Sequence, residues 1–217
     1  MKQKTSVMEK VHAKGCPCNI CTLEKQQEED LAKSGFCVHL VFNDSDFPYR
    51  TNAHTHMVYE SFGHLDIQLC LDIPVETISA VMHNIVDRIK AGERFLPQNK
   101  YSELIENFPV LFEFAYETDR LVLRVICPDE SGSFKGKFKS QYEGTFTLYP
   151  MHRRIIKALY EGDKSIAELN RGNYNMAYDV SQLILIGLVE AVAGADHTFT
   201  LTEHGWRLYE HLHPVST

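Results

Sequence analysis

The sequence has no run of apolar residues approaching the roughly 18 that a bilayer crossing requires. Behind its basic start, Met1-Lys-Gln-Lys-Thr-Ser6, it has no apolar stretch of the kind a secretory signal carries. Together these absences lead to the expectation of a cytoplasmic chain with no membrane partner. Positive charge is scarce as well: 22 Lys and Arg stand against 29 Asp and Glu, a formal net charge of −7. Domains that track phosphates gain affinity from a basic face, so general nucleic-acid binding is disfavoured, while a local basic patch is not excluded. There is no glycine-rich phosphate loop, because Gly132, Gly136 and Gly144 have no strand–turn–helix context around them. No serine sits in a nucleophile motif, and the aromatic residues are scattered through apolar patterns rather than gathered into a stacking platform. What remains is a chain of 217 residues, 44% hydrophobic, able to bury a core as one large domain or two smaller ones.

Six cysteines are present: Cys16, Cys18, Cys21, Cys37, Cys70 and Cys127. In a reducing compartment a cluster of cysteines reads first as metal ligands rather than as a disulfide framework. Gly15-Cys16-Pro17-Cys18-Asn-Ile-Cys21 crowds three thiols around two turn-forming residues, as a structural zinc knuckle would. A tetrahedral site needs a fourth ligand, for which Cys37, His39 and His12 are candidates; Cys37 is grouped with Cys16, Cys18 and Cys21 as the metal set. The competing reading is three reduced surface thiols. Cys70 and Cys127 lie inside apolar strand patterns and are expected in the core.

The histidines are the second chemical signal. His54, His56 and His64 fall within eleven positions, and His39 precedes them on the strand-like segment Phe36–Phe42. Period-two alternation puts Cys37, His39 and Val41 on one face of that strand, and His54 and His56 on one face of the next. The expectation is geometric: His39, His54 and His56 share a face, with His64 near its rim. Such a group could hold a metal or act in acid–base chemistry, with Asp66 or Glu60 orienting a ring. The competing reading is a set of hydrogen-bonded histidines lining a shallow cleft.

The remaining pattern is that of an α+β fold with an antiparallel-rich sheet. A short helix is expected over 22–33. Asp72 and Pro74 open a longer helix, whose stripe Val75, Ile78, Val81, Met82, Ile85, Val86 and Ile89 is core. A shorter helix is expected from Tyr101 to Phe108. An antiparallel hairpin, Val110–Tyr116 with Leu121–Cys127, turns at Thr118-Asp119. Residues 129–146 read as a linker. From Thr147 the order is helix, helix, helix, β-hairpin, helix. The units are therefore an N-terminal segment with the cysteine knuckle (1–34), an α+β domain (35–128), the linker, and a C-terminal domain (147–217).

Two resemblances attach to these units. Leu185-Ile-Gly187-Leu-Val-Glu190, then a hairpin, then Leu201-Thr-Glu-His-Gly205-Trp-Arg-Leu208 resembles a winged helix-turn-helix domain, which implies DNA binding or dimerisation. The candidate nucleic-acid residues are Arg153, Arg154, Arg171, Tyr174, Asn175, Tyr178 and Gln182. Against DNA, residues 143–217 hold six Lys and Arg but nine Asp and Glu. Trp206, Leu208 and Leu212 are the candidate contacts of a homo-oligomer. The middle unit resembles the uncharacterised bacterial family DUF4262 through Gly35-Phe-Cys-Val-His39, His54-Thr-His56, Phe62-Gly-His-Leu-Asp66, Asp72-Ile-Pro-Val-Glu76, Lys90-Ala-Gly-Glu-Arg-Phe95 and Pro109-Val-Leu-Phe112. A subgroup of that family with His-Thr-His-Gly-Leu is the nearer match, with glycine where this chain has Met57. The family implies a compact α+β domain and no known reaction.

Two functions from different classes are therefore expected. One is a zinc-stabilised regulatory or adaptor protein that senses an unknown small ligand or a partner. The other is a metal-dependent hydrolase built on His39, His54, His56 and His64.

Overall fold

The computed structural model of the chain describes residues 29, 31–42, 51–134, 139–170 and 174–214. The expected knuckle at Cys16, Cys18 and Cys21, His12, Arg171 and most of the first expected helix lie outside these residues. Residues 31–34 are helical and end at Gly35, whose φ of 78° is the left-handed turn expected there.

The fold is α+β. Its main sheet runs β1 (Cys37–Phe42), β2 (Thr51–His56), β3 (Asp66–Cys70), β6 (Arg120–Ile126), β5 (Phe108–Glu117), β4 (Lys100–Ile105), with the short β7 (Thr145–Phe146) also paired to β5. All pairings are antiparallel except β3 with β6. One face is apolar. Ala53, Ile67, Leu69, Phe112, Phe114 and Val125 are fully buried there and join Ile78, Met82 and Ile85 of helix α2 (Val75–Lys90) in one core cluster. The short helix α1 (Val58–Phe62) follows β2 directly.

Where a helix was expected, Tyr101 to Phe108, the chain forms β4 and the turn into β5. The segment fits either period, and pairing with β5 decides: Lys100 lies opposite Leu111 and Tyr101 opposite Val110. Glu103 (φ 68°) marks an irregularity in the ladder and Asn107 (φ 65°) supplies the left-handed turn residue. The expected hairpin is present, with Glu117 directly opposite Arg120 across Thr118-Asp119.

Part of the stretch read as a linker is built into the fold. β7 lies on β5, and the buried Gln141 side chain bonds both the N–H and the C=O of Cys127. Arg124, also buried, donates to the carbonyls of Gln141 and Glu143. These carbonyl acceptors satisfy a guanidinium that would otherwise be costly to bury.

The C-terminal part runs α3 (Pro150–Tyr160), β8 (Lys164–Ser165), α4 (Ile166–Leu169), α5 (Ala177–Leu185), β9 (Val189–Ala191), β10 (Thr198–Leu201) and α6 (Glu203–Leu212). Ser165 and Glu168 form a reciprocal capping box on α4. Thr202 Oγ1 donates to Gly187 O and accepts from Gly205 N, and a Cβ on Gly205 would stand 2.2 Å from Leu188 O. The Leu-Thr-x-x-Gly signature thus has a physical cause: threonine caps the helix, and only glycine permits the contact. Ile155, Leu159, Leu183 and Leu208 belong to the same apolar cluster as the sheet. Leu208, a candidate oligomer contact, is fully buried, whereas Trp206 is 39% exposed beside Tyr160. Among the described residues no helix is long and apolar enough to cross a membrane.

Candidate metal centre

Among the described residues β1 is an edge strand, and its register on β2 sets His39 opposite His54 and Cys37 opposite His56. Residues paired across a ladder point to the same face, and so do residues two apart on one strand. His39, His54 and His56 therefore converge on the face turned away from the apolar cluster. Their ring centroids are 5.5 Å (His39–His54), 4.2 Å (His39–His56) and 5.0 Å (His54–His56) apart. One donor atom from each falls within 4.8 Å of the others, close enough for the three to hold one metal ion. His54 is 4% exposed, while His39 and His56 are half-buried.

The electrostatics favour neutral rings at His39 and His56. Burial, then the Arg120 guanidinium, then the two neighbouring imidazoles push His56 down to about 4. Burial and Arg120 lower His39 too. A neutral imidazole is the form that ligates metal. Nε2 of His56 is buried and has no hydrogen-bond partner among the described residues, so its lone pair is not committed within them.

Glu117 Oε1 lies 3.6 Å from His54 Nδ1. Burial alone would raise this carboxyl, but hydrogen bonds from Arg120 and the charges of His54, Arg120 and His56 hold it below the ordinary range. Neither Glu117 nor Arg120 was singled out from the sequence. The available signal was an acid and a base flanking a two-residue turn, which places them opposite each other. Their approach to the histidines depends on β6 lying parallel beside β3, a long-range pairing that local pattern does not reveal.

The other candidates fall elsewhere. His64 is not at the rim of this group: it is buried, its Nδ1 donates to Leu65 O, its Nε2 accepts from Phe95 N, and its ring packs 4.5 Å from that of His211. The left-handed turn at Gly63 (φ 63°) sends it toward α6. Asp66 and Glu60 do not orient a ring either. Asp66 accepts from Thr55 Oγ1 and Val58 N and pairs with Arg120, and Glu60 pairs with Arg207 of α6. Cys37 is buried beside His56 and is not in a disulfide, but it falls outside the three-residue donor group. Cys70 and Cys127 are buried as expected.

The same face carries a polar row that was also missed. Register aligns His39, His54, Gln68, Arg124 and Glu113 across five strands. Gln68 links Asn52 to Arg124 through its amide, and burial pushes Glu113 up to about 7.

Of the nucleic-acid candidates, Arg153 and Arg154 are exposed on α3, Tyr178 is 71% exposed and Gln182 is half-buried. Tyr174 donates to Asp179 and Asn175 accepts from Ala177 N, so both side chains are engaged within the fold. Comparison with protein-family models, curated proteins and solved structures found no match.

Proposed function

We propose that this chain is a zinc-binding regulatory or adaptor protein whose metal is held by His39, His54 and His56. The observation that carries this reading is the convergence of three donor atoms within 4.8 Å on adjacent strands. Imidazole donors suit zinc among the available divalent metals, and three protein ligands leave a position for water or a fourth donor. The thiolate site at Cys16, Cys18, Cys21 and Cys37 is retained as a separate proposal resting on the sequence.

In this reading the C-terminal part is a winged-helix module, and the middle part the DUF4262-like unit, each supported by the motifs quoted above. The element order α3, α4, α5, β9–β10 hairpin, α6 supports the module. Its outward residues favour a protein partner over DNA. Helix α5 carries no basic residue, and Ile184 (41%) and Leu185 (79%) are exposed beside Tyr178. A second copy of the chain is one such partner.

A metal-dependent hydrolase is the second reading, favoured by the coordination position that three ligands leave open. Metal analysis tests the common element. His54→Ala should hold one zinc fewer per folded chain than the wild type, and equal content overturns the proposal. Zinc-dependent ester hydrolysis lost in the same variant would select the enzyme over the adaptor. For the module, retardation of duplex DNA that weakens steeply with salt would overturn the preference for a protein partner.

A further inference from the structure

The histidine group has a carboxylate beside it that is held from two sides. Glu117 and Arg120 face each other across the β5–β6 turn. Glu117 Oε2 accepts from Arg120 Nη2 at 2.8 Å and Nε at 3.2 Å. Arg120 Nη1 in turn donates to Asp66 Oδ2 and to Thr55 O, each at 3.3 Å. Asp66 is itself fixed by Thr55 Oγ1 at 2.9 Å and Val58 N at 3.1 Å. The guanidinium is thus tied to β2 and β3, and it fixes the carboxylate against β2. Oε1 accepts from Thr118 Oγ1 at 3.4 Å and lies 3.6 Å from His54 Nδ1, an electrostatic contact longer than a hydrogen bond. Glu117 is not part of the group whose donor atoms lie mutually within 4.8 Å.

A metal-binding imidazole has one nitrogen for the metal and one for a partner. A carboxylate on the second nitrogen fixes the tautomer and ring orientation and makes the first a better donor. We infer that Glu117 is the positioning residue of this centre. Its negative charge beside Nδ1 favours the Nδ1–H tautomer of His54, in which Nε2 is the donor for a divalent transition metal, and Arg120 with Asp66 keeps the carboxylate in place. The inference rests on the three-histidine reading and adds what sets its affinity. It also explains why an acid–base pair occupies the end of the hairpin nearest β2.

The test compares the full-length wild type with Glu117→Gln and Glu117→Ala, titrated with zinc against a chromophoric chelator. Cobalt(II) spectra of the same proteins read the ligand geometry. Glu117→Ala should keep the metal stoichiometry but bind zinc roughly 10–100-fold more weakly, the usual consequence of losing such a partner. Its cobalt bands should shift or weaken as the His54 ring loses its orientation. Glu117→Gln has the same shape, and its amide oxygen can accept Nδ1–H without the charge. It should fall between the two in affinity and retain a wild-type-like cobalt spectrum. If Glu117→Ala does not fold, Glu117→Gln decides alone: weaker zinc binding at unchanged melting temperature supports the role. Wild-type affinity and spectrum in the variants overturn it while leaving the metal reading intact. A wild-type protein that binds no metal at these histidines overturns both.

Discussion

Two groups of histidines in this fold have opposite environments. His39, His54 and His56 sit on two strands at the sheet edge, two of the three half-buried, with Nε2 of His56 buried and unbonded among the described residues. His64 and His211, the latter on α6, are fully buried, and the main chain of Phe95 holds them. His64 Nε2 accepts from Phe95 N, and His211 Nε2 donates to Phe95 O at 2.9 Å. Burial is the main cause that lowers both members of this pair. The first group brings three donor atoms within 4.8 Å of one another; the second is held by Phe95, although Nδ1 of His211, like Nε2 of His56, is buried without a hydrogen-bond partner among the described residues. Histidine content alone therefore says little about chemistry, because what separates ligand from scaffold is whether several donor atoms converge on one point.

The largest effect that would break this comparison is on metal affinity. Replacing His54 by Ala should weaken zinc binding at this site beyond the roughly 100-fold reached by loss of a supporting partner. His39→Ala and His56→Ala should behave alike in titration calorimetry and cost little stability, since both rings are half-exposed at the edge. His211→Ala should do the reverse. It empties a fully buried position and leaves Phe95 O without its donor, a loss of about 2–4 kcal/mol in urea unfolding. Zinc affinity should be unchanged. A His211 variant that lost metal without losing stability would show that the two groups had been assigned the wrong way round.

Acid separates the groups next. His64 is pushed down to about 4 by burial, opposed by its bond to Leu65 O and assisted by Arg94. Above the unfolded value of about 6.5 the ring is neutral in both states and contributes no pH dependence. Between 6.5 and 4 only the unfolded chain takes the proton, so stability falls as pH falls, by roughly 3 kcal/mol from this residue. Asp66, raised by burial to about 6, and Glu113, raised to about 7, act in the opposite sense, since the folded state favours their protonated forms. Urea unfolding of the wild type and His64→Gln at pH 7, 5.5 and 4 cancels those acids. The difference between the two proteins should change across that window, and a constant difference would refute the assignment.

The sequence carries the first half of this contrast and not the second. Alternation puts His54 and His56 on one face of their strand and His39 with Cys37 on one face of the other, and the β1–β2 register then brings those faces together. Alternation cannot fix what stands beside them: Glu117 and Arg120 arrive through the parallel β3–β6 pairing, 54 residues apart for Asp66 and Arg120. His64 was misjudged for the same reason. Its sequence distance to His56 is short, but α1 and the left-handed Gly63 carry it to another layer. The C-terminal order was legible because three of its four helices have local punctuation, Pro150 opening α3, Ser165 capping α4 and Thr202 capping α6. β4 was missed because the left-handed angle of Glu103 is not announced by the residue and the turn signal of Asn107 was not used.

The smallest expected effect lies at the joint between the two groups. Met57 follows His56 directly and precedes α1, at φ 71° and ψ 9°, with its side chain 38% exposed. A residue with a Cβ is disfavoured there, and glycine is not. Met57→Gly should remove a left-handed penalty of about 1–2 kcal/mol, partly offset by the greater freedom of glycine in the unfolded chain, for a net gain of about 0.5–1 kcal/mol. Zinc affinity is the sharper readout. If the strained residue helps hold His56 in register, the variant will be more stable and yet bind metal more weakly. If the register of β1 on β2 is sufficient by itself, stability will rise and affinity stay level. The second outcome is expected, because His56 is paired with Cys37 across the ladder independently of the turn that follows it.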